Sequence, residues 1–163
     1  SIKGGKRIPV GKKLTTVNTG YKYIRVADMK NGTVIDTDIH YIDEEIYKKI
    51  SAYTISKNDV YITCAGTIGR IGIVPDFFDG ANLTENADKI ILYFINKLWL
   101  CYALNSEAIQ NQIRNVTTKV GQPKLAIKRI ENMIIPLPPL AEQKRIVEKL
   151  DKLLADIEEL KIE

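Results

Sequence analysis

From Leu140 to Leu160 apolar residues return at helical spacing. Ile146, Leu153 and Leu160 lie seven apart, as do Val147 and Leu154, and Leu150 and Ile157. These rows make one apolar stripe, wider than a strict two-stranded seam, and predict an amphipathic helix whose polar row holds Glu142, Lys149, Asp156 and Glu163. Pro136, Pro138 and Pro139 cannot sit inside a regular helix, so they predict an extended lead-in and a boundary near Pro138. A helix of about 24 residues at 1.5 Å each reaches roughly 36 Å, comparable to a whole domain of this size. The expectation is therefore a projecting helix. Its greasy face must be covered by the preceding domain, a second copy of the chain, or a partner.

Upstream the pattern is mixed. Tyr21 to Asp28 and Thr33 to Asp36 read as strands around Asn31-Gly32, a pair suited to the positive φ angles of a tight hairpin. Asp43 to Ile50 opens acidic and closes basic, the polarity of a short helix. Asp59 to Cys64 and Ile71 to Val74 read as strands flanking a glycine turn, Asp79-Gly80 as another turn, and Lys89 to Phe94 as an apolar strand. Lys97 to Asn115 is helical with a break near Asn105-Ser106, placing Leu98, Cys101, Tyr102, Ile109 and Ile113 toward the core. Val116 to Gln122 is a polar loop, and Glu131 to Pro136 a last strand-like run. The first twenty residues, with four glycines and little periodicity, read as a basic arm. With no internal repeat, the expected fold is α+β: a curved, mostly antiparallel, barrel-like sheet with peripheral helices over residues 1–137, then a long C-terminal coiled-coil helix over 138–163. The start lacks Met, so a trimmed or excised piece is expected.

Composition narrows the function classes. With 163 residues, 45% hydrophobic and 27% charged, the chain suits one globular domain rather than a disordered segment. Its apolar runs are too short to cross a bilayer and no secretory pattern opens it, so the expected compartment is the cytoplasm, with no membrane partner. Cys64 and Cys101 imply no disulfide framework. The net charge of +4 is unevenly spread: residues 1–30 carry eight Lys or Arg against Asp28 alone, and residues 101–137 are again basic. If folding joins these segments, the resulting face suits phosphate neutralisation. Lys6, Arg7, Lys12, Lys13 and Arg25 are the candidates from the first segment; Lys119, Gln122 and Lys124 come from the polar loop. Lys and Arg can hold phosphates or read guanine, and Gln can read adenine.

Catalytic constellations are sparse. His40 is the single histidine, so no His-based triad or metal cluster is expected. Pro75-Asp76 and the distant Glu159-Leu160-Lys161 spell a nuclease-like string, yet the second part falls on the terminal helix and cannot share a metal ion with the first. Gly66-Thr67-Ile68-Gly69-Arg70-Ile71-Gly72 lacks the Lys-Ser/Thr of a nucleotide loop. It resembles the clamping turn of KH domains, but strands rather than helices flank it. The expectation is no active site, no metal and no cofactor.

Ile135-Pro-Leu-Pro-Pro-Leu-Ala-Glu-Gln-Lys-Arg-Ile-Val147 resembles the signature that joins a target recognition domain to a spacer helix in DNA specificity subunits of type I restriction–modification systems. Gly4-Gly5-Lys6-Arg7-Ile8-Pro9, Tyr23-Ile24-Arg25-Val26-Ala27-Asp28, and Asn58-Asp59-Val60 running to Gly66-Thr67-Ile68-Gly69 resemble the same family in the same order. The resemblance implies a non-catalytic subunit that reads one half of a bipartite duplex target. It adds Thr67 and Arg70 as DNA-contact candidates. It also implies methyltransferase modification subunits as partners, held by the helix. One recognition domain and one helix, where the family carries two of each, imply half of a subunit or a half-length chain that pairs with a second copy. The helix positions assigned to such an interface are Leu140, Ile146, Val147, Leu150, Leu153, Leu154, Ile157 and Leu160. Two rivals stand beside this reading. One is the recognition domain of a fused methyltransferase–endonuclease. The other is a protein-interaction module whose basic arm binds an acidic partner.

Overall fold

A computed structural model describes residues 1–118 and 121–160. Its main sheet is formed by Ile2–Gly4 (β1), Val60–Thr63 (β6), Ile71–Ile73 (β7) and Ala87–Ile90 (β9), all antiparallel and in the order β1-β9-β6-β7. A second sheet joins Lys22–Ile24 (β2), His40–Tyr41 (β5) and Asn82–Leu83 (β8), with β2 parallel to β8. Met29–Lys30 (β3) and Thr33–Val34 (β4) form a hairpin. The sheets are thus mixed, and the described residues form no closed barrel; the expected barrel-like closure is corrected to three small sheets.

Short-range chemistry explains the elements that follow the expectation. Asn31 (φ 53°) and Gly32 (φ 74°) make the hairpin turn. Asp43 caps Glu44–Ile50 (α1) by accepting from the Ile46 amide at 2.7 Å. Asn96 caps Lys97–Asn105 (α2) through the Trp99 amide at 3.0 Å. Ser106 breaks the run before Glu107–Val116 (α3). Leu140–Glu159 (α5) follows the proline lead-in.

Five expectations are corrected. The strand over Tyr21 to Asp28 ends at Ile24, because Val26–Asp28 coils into a 3-10 turn closed by Asp28 accepting from the Arg25 amide. The basic arm begins as an edge strand, β1, which only its distant partner β9 reveals. The strand at Lys89 to Phe94 lies earlier, at Ala87–Ile90, and Phe94 takes a positive φ of 57° that no ladder accommodates. Glu131 to Pro136 is not a strand: Ile127–Glu131 is a short helix (α4), and Met133 and Ile135 pack on the core without strand pairing. Leu98 also faces outward, while Trp99, Leu100 and Leu104 are buried beside Ile109 and Ile113.

Candidate nucleic-acid interface

The N-terminal strand delivers two basic side chains to a fixed place. The Gly5 amide donates to Ala87 O at 3.0 Å and the Lys6 amide to Leu83 O at 2.8 Å. The Tyr23 hydroxyl donates to Lys6 O at 2.9 Å. Lys6 Nζ stands 5.5 Å above the Tyr53 ring. Arg7 Nε donates to Glu85 Oε1 at 2.6 Å while the Arg7 side chain stays 72% exposed. That hydrogen bond raises Arg7 above its ordinary value. Burial pushes Glu85 upward, but hydrogen bonds from Arg7, Thr84 and the backbone, with the Arg7 charge, together outweigh it and hold the carboxyl below its usual range.

The polar loop reaches the same place from the other end of the chain. The Leu125 amide donates to Cys64 O at 2.9 Å, Lys124 bridges to Ala65, and the Lys124 amide donates to Thr118 Oγ1 at 3.0 Å. This seats Lys124 at the foot of the Gly66–Gly69 turn, and Gln122, Lys124 and Thr67 are all exposed. The turn joins antiparallel strands β6 and β7, so the helix-flanked KH arrangement is absent here. A groove of about 510 Å³ results, lined by Lys6, Arg7, Glu85, Asp88, Lys124 and Lys128 among others. Lys128, on α4, is a groove residue that the sequence pattern does not single out; its place in the second basic segment is the one signal for it. A second groove of about 580 Å³ borders the same loop at Ile68, Arg114, Thr118 and Pro123.

Other candidates lie apart from this groove. Arg25 is half-buried and tied down by Asp28 Oδ1 at 2.6 Å and Asp38 Oδ2 at 2.9 Å, with His40 Nε2 at 3.3 Å. The Arg25 hydrogen bond holds Asp38 below its ordinary value. Lys12 pairs with Glu45, whose carboxyl the hydrogen bonds from Lys12 and Lys49 depress to about 2. Lys13 is exposed next to it in the chain. Arg70 Nη1 donates to Met29 O at 3.1 Å, tying the glycine turn to the β3–β4 hairpin. Lys119 lies outside the described residues. Burial pushes the Cys64 thiol up to about 12 and Cys101 to about 11, so both are weak nucleophiles at neutral pH. Among the described residues no group of three or more His, Cys, Asp or Glu side chains could hold a metal ion.

The terminal helix divides into two halves. Its first half is stitched to the domain by Gln143, which is 2% exposed: Gln143 Oε1 accepts from the Asn96 amide at 2.8 Å, and Nε2 donates to Pro138 O at 2.9 Å. Val147 is buried and Ile146 half-buried against the core formed with Trp99 and Ile109. Leu150 lines an apolar cleft of about 610 Å³ with Trp99, Tyr102, Leu137 and Ile146. The expected interface residues Ile146 and Val147 are therefore already occupied within the domain. Leu140, and then Leu153, Leu154, Ile157 and Leu160 in the second half, are exposed. No helix among the described residues is long and apolar enough to cross a membrane.

The described residues thus form a domain of small mixed sheets, with a groove bearing four cationic side chains and a C-terminal helix stitched to its side. All of residues 1–163 match the model of the type I restriction modification DNA specificity domain, and the chain belongs to that family. It is 30% identical over 141 residues to the type I restriction enzyme EcoBI specificity subunit of Escherichia coli, covering 85% of this chain and 30% of that protein. It is 26% identical over 138 residues to the MjaVIII specificity subunit of Methanocaldococcus jannaschii, covering 80% and 32%. Among solved structures, it aligns with the HsdS subunit from Thermoanaerobacter tengcongensis at a TM-score of 0.69 and 21% identity, covering 94% of this chain and 41% of that one. A chain from a structure on complex assembly of the type I R-M system aligns at a TM-score of 0.76 and 20% identity, covering 98% and 37%. The chain thus spans about a third of the length of these relatives.

Proposed function

We propose that this chain is the recognition half of a type I specificity subunit: residues 1–137 read one half of a bipartite duplex DNA target, and 138–163 dock methyltransferase modification subunits and a second recognition half. The subunit itself performs no chemistry; modification and cleavage belong to its partners. The observation that supports this most is the convergence of Lys6 and Arg7 with Lys124 and Lys128 on one groove, from segments more than a hundred residues apart. Four cations around a concavity attract a polyanion, and exposed Thr67 and Gln122, from the glycine turn and the polar loop, offer base-directed hydrogen bonding. Lys12, Lys13 and Arg70 serve phosphates at the margins on this reading, whereas Arg25, enclosed by two carboxylates, organises the fold.

Selection from a randomised duplex pool at low salt tests it, with an enriched short motif expected. Lys6→Gln with Lys124→Gln should weaken binding across sequences and lower the slope of log affinity against log salt by about one unit for each phosphate no longer neutralised. Unchanged slope would remove the groove from the binding surface. Retention of no duplex at all would leave the basic groove to an acidic protein partner.

A further inference from the structure

Asp88 lies on the floor of the basic groove, 4% exposed, and its Oδ2 finds no hydrogen-bond partner among the described residues. A buried acceptor left unmade costs free energy, which the fold recovers only if a donor arrives. The surroundings define that donor. Glu85 is engaged by Arg7, so Asp88 is the carboxylate left for a ligand, and a single carboxylate is a poor metal site. The rim is cationic, with Lys6, Arg7, Lys124 and Lys128, which repels a basic peptide and favours a group carried on phosphates. Gly4 keeps the carboxylate uncovered: a Cβ there would come within 3.3 Å of Asp88 Oδ1.

We infer that Asp88 is a base-reading group of this domain, accepting a hydrogen bond from the exocyclic amino group of a cytosine or adenine whose flanking phosphates lie on the basic rim. The inference rests on the DNA-recognition reading above. Carboxylates are suited to this role because cytosine N4 and adenine N6 are the donors that bases display in the major groove. The proton state supports it as well. Burial raises Asp88 to about 6, opposed by the neighbouring Cys64 thiol, whose own hydrogen bond goes to Glu85 O, and by the Lys124 charge. With Glu85 neutralised by Arg7 and Lys6 and Lys128 also at the rim, the carboxylate is ionised and accepting above pH 7 and protonated below pH 6. Amino-base discrimination should therefore fade as the pH falls through that window.

The test is a cycle pairing Asp88 with the DNA amino group. A duplex selected by the wild-type chain is remade with the amino group deleted at each cytosine or adenine in turn, using pyrimidinone or purine analogues. Affinities are then measured by fluorescence anisotropy for the wild type, Asp88→Ala and Asp88→Asn. At one position the wild type should lose tenfold or more, while Asp88→Ala is indifferent to the same deletion. Asp88→Asn, isosteric and able to donate, should relax or shift that preference toward a keto base, and it stands in if the alanine variant does not fold. Equal losses in the wild type and both variants at every position would overturn the role of Asp88 while leaving DNA recognition intact. Failure of the wild type to select any motif would overturn both.

Discussion

Gly5 has no space for a side chain. A Cβ there would fall well inside van der Waals contact of the Thr84 and Leu83 carbonyl oxygens, and 2.7 Å from the Leu83 carbonyl carbon, all rigid backbone. The crossing is what lets Lys6 pair with Leu83 and leave the sheet toward the groove. Gly5→Ala should therefore destabilise the domain by about 1–3 kcal/mol, the range for overpacking, seen as a lowered urea midpoint. Asp88 carries the opposite lesson. Its folded value of about 6 lies above the 3.8 of an ordinary aspartate, so the folded state holds a proton that the unfolded chain releases. Stability contributed by that proton is present at low pH and is lost as pH rises from about 3.8 to 6. Asp88→Asn should be the more stable protein at pH 7, by up to about 3 kcal/mol, and the gap should close near pH 4. Urea unfolding at both pH values checks this; a gap that widened toward pH 4 would reverse the assignment.

At the scale of elements, the sequence exposes what is decided locally. The Asp43 cap, the Asn31-Gly32 turn and the Ser106 break each act within a few residues, so each is readable. The three-residue strand β1 is not, because its backbone partners lie on β9, more than eighty residues away. Nor is the inward role of Gln143 readable, since a glutamine in a charged helix reads as solvated. The structure makes it the pin between the proline lead-in and the start of α2. Gln143→Leu keeps the volume but strands the Asn96 amide and the Pro138 carbonyl. It should cost about 1–3 kcal/mol, with α5 still helical by circular dichroism and faster hydrogen exchange at the Asn96 amide. Unchanged protection there would mean that the packing of Ile146 and Val147 alone fixes the helix.

For the whole molecule, charge clustering along the chain foretells a basic face, but only the fold sorts the cations. Lys6, Arg7 and Lys124 meet, whereas Arg25 disappears into an ion-pair cluster and Lys12 pairs with Glu45. The same sorting acts on the helix stripe. Ile146, Val147 and Leu150 turn toward their own domain, and Leu154 and Ile157 remain 47% and 49% exposed, continuous with Leu153 and Leu160. Apolar side chains repeated along an exposed helix face favour a second helix over water. Because the outward half makes no contribution to the core clusters, Leu154→Asp with Ile157→Asp should leave the melting temperature nearly unchanged, and on the proposal that a second recognition half docks here it should abolish self-association in sedimentation equilibrium. If two copies pair there about a two-fold axis, their grooves are related by the same axis, and the selected DNA must be an inverted repeat at fixed spacing. The double variant should then still retain a single half-site, with weaker binding and no spacing preference. Fixed spacing that survives in a monomeric variant would place the second recognition half on a different surface.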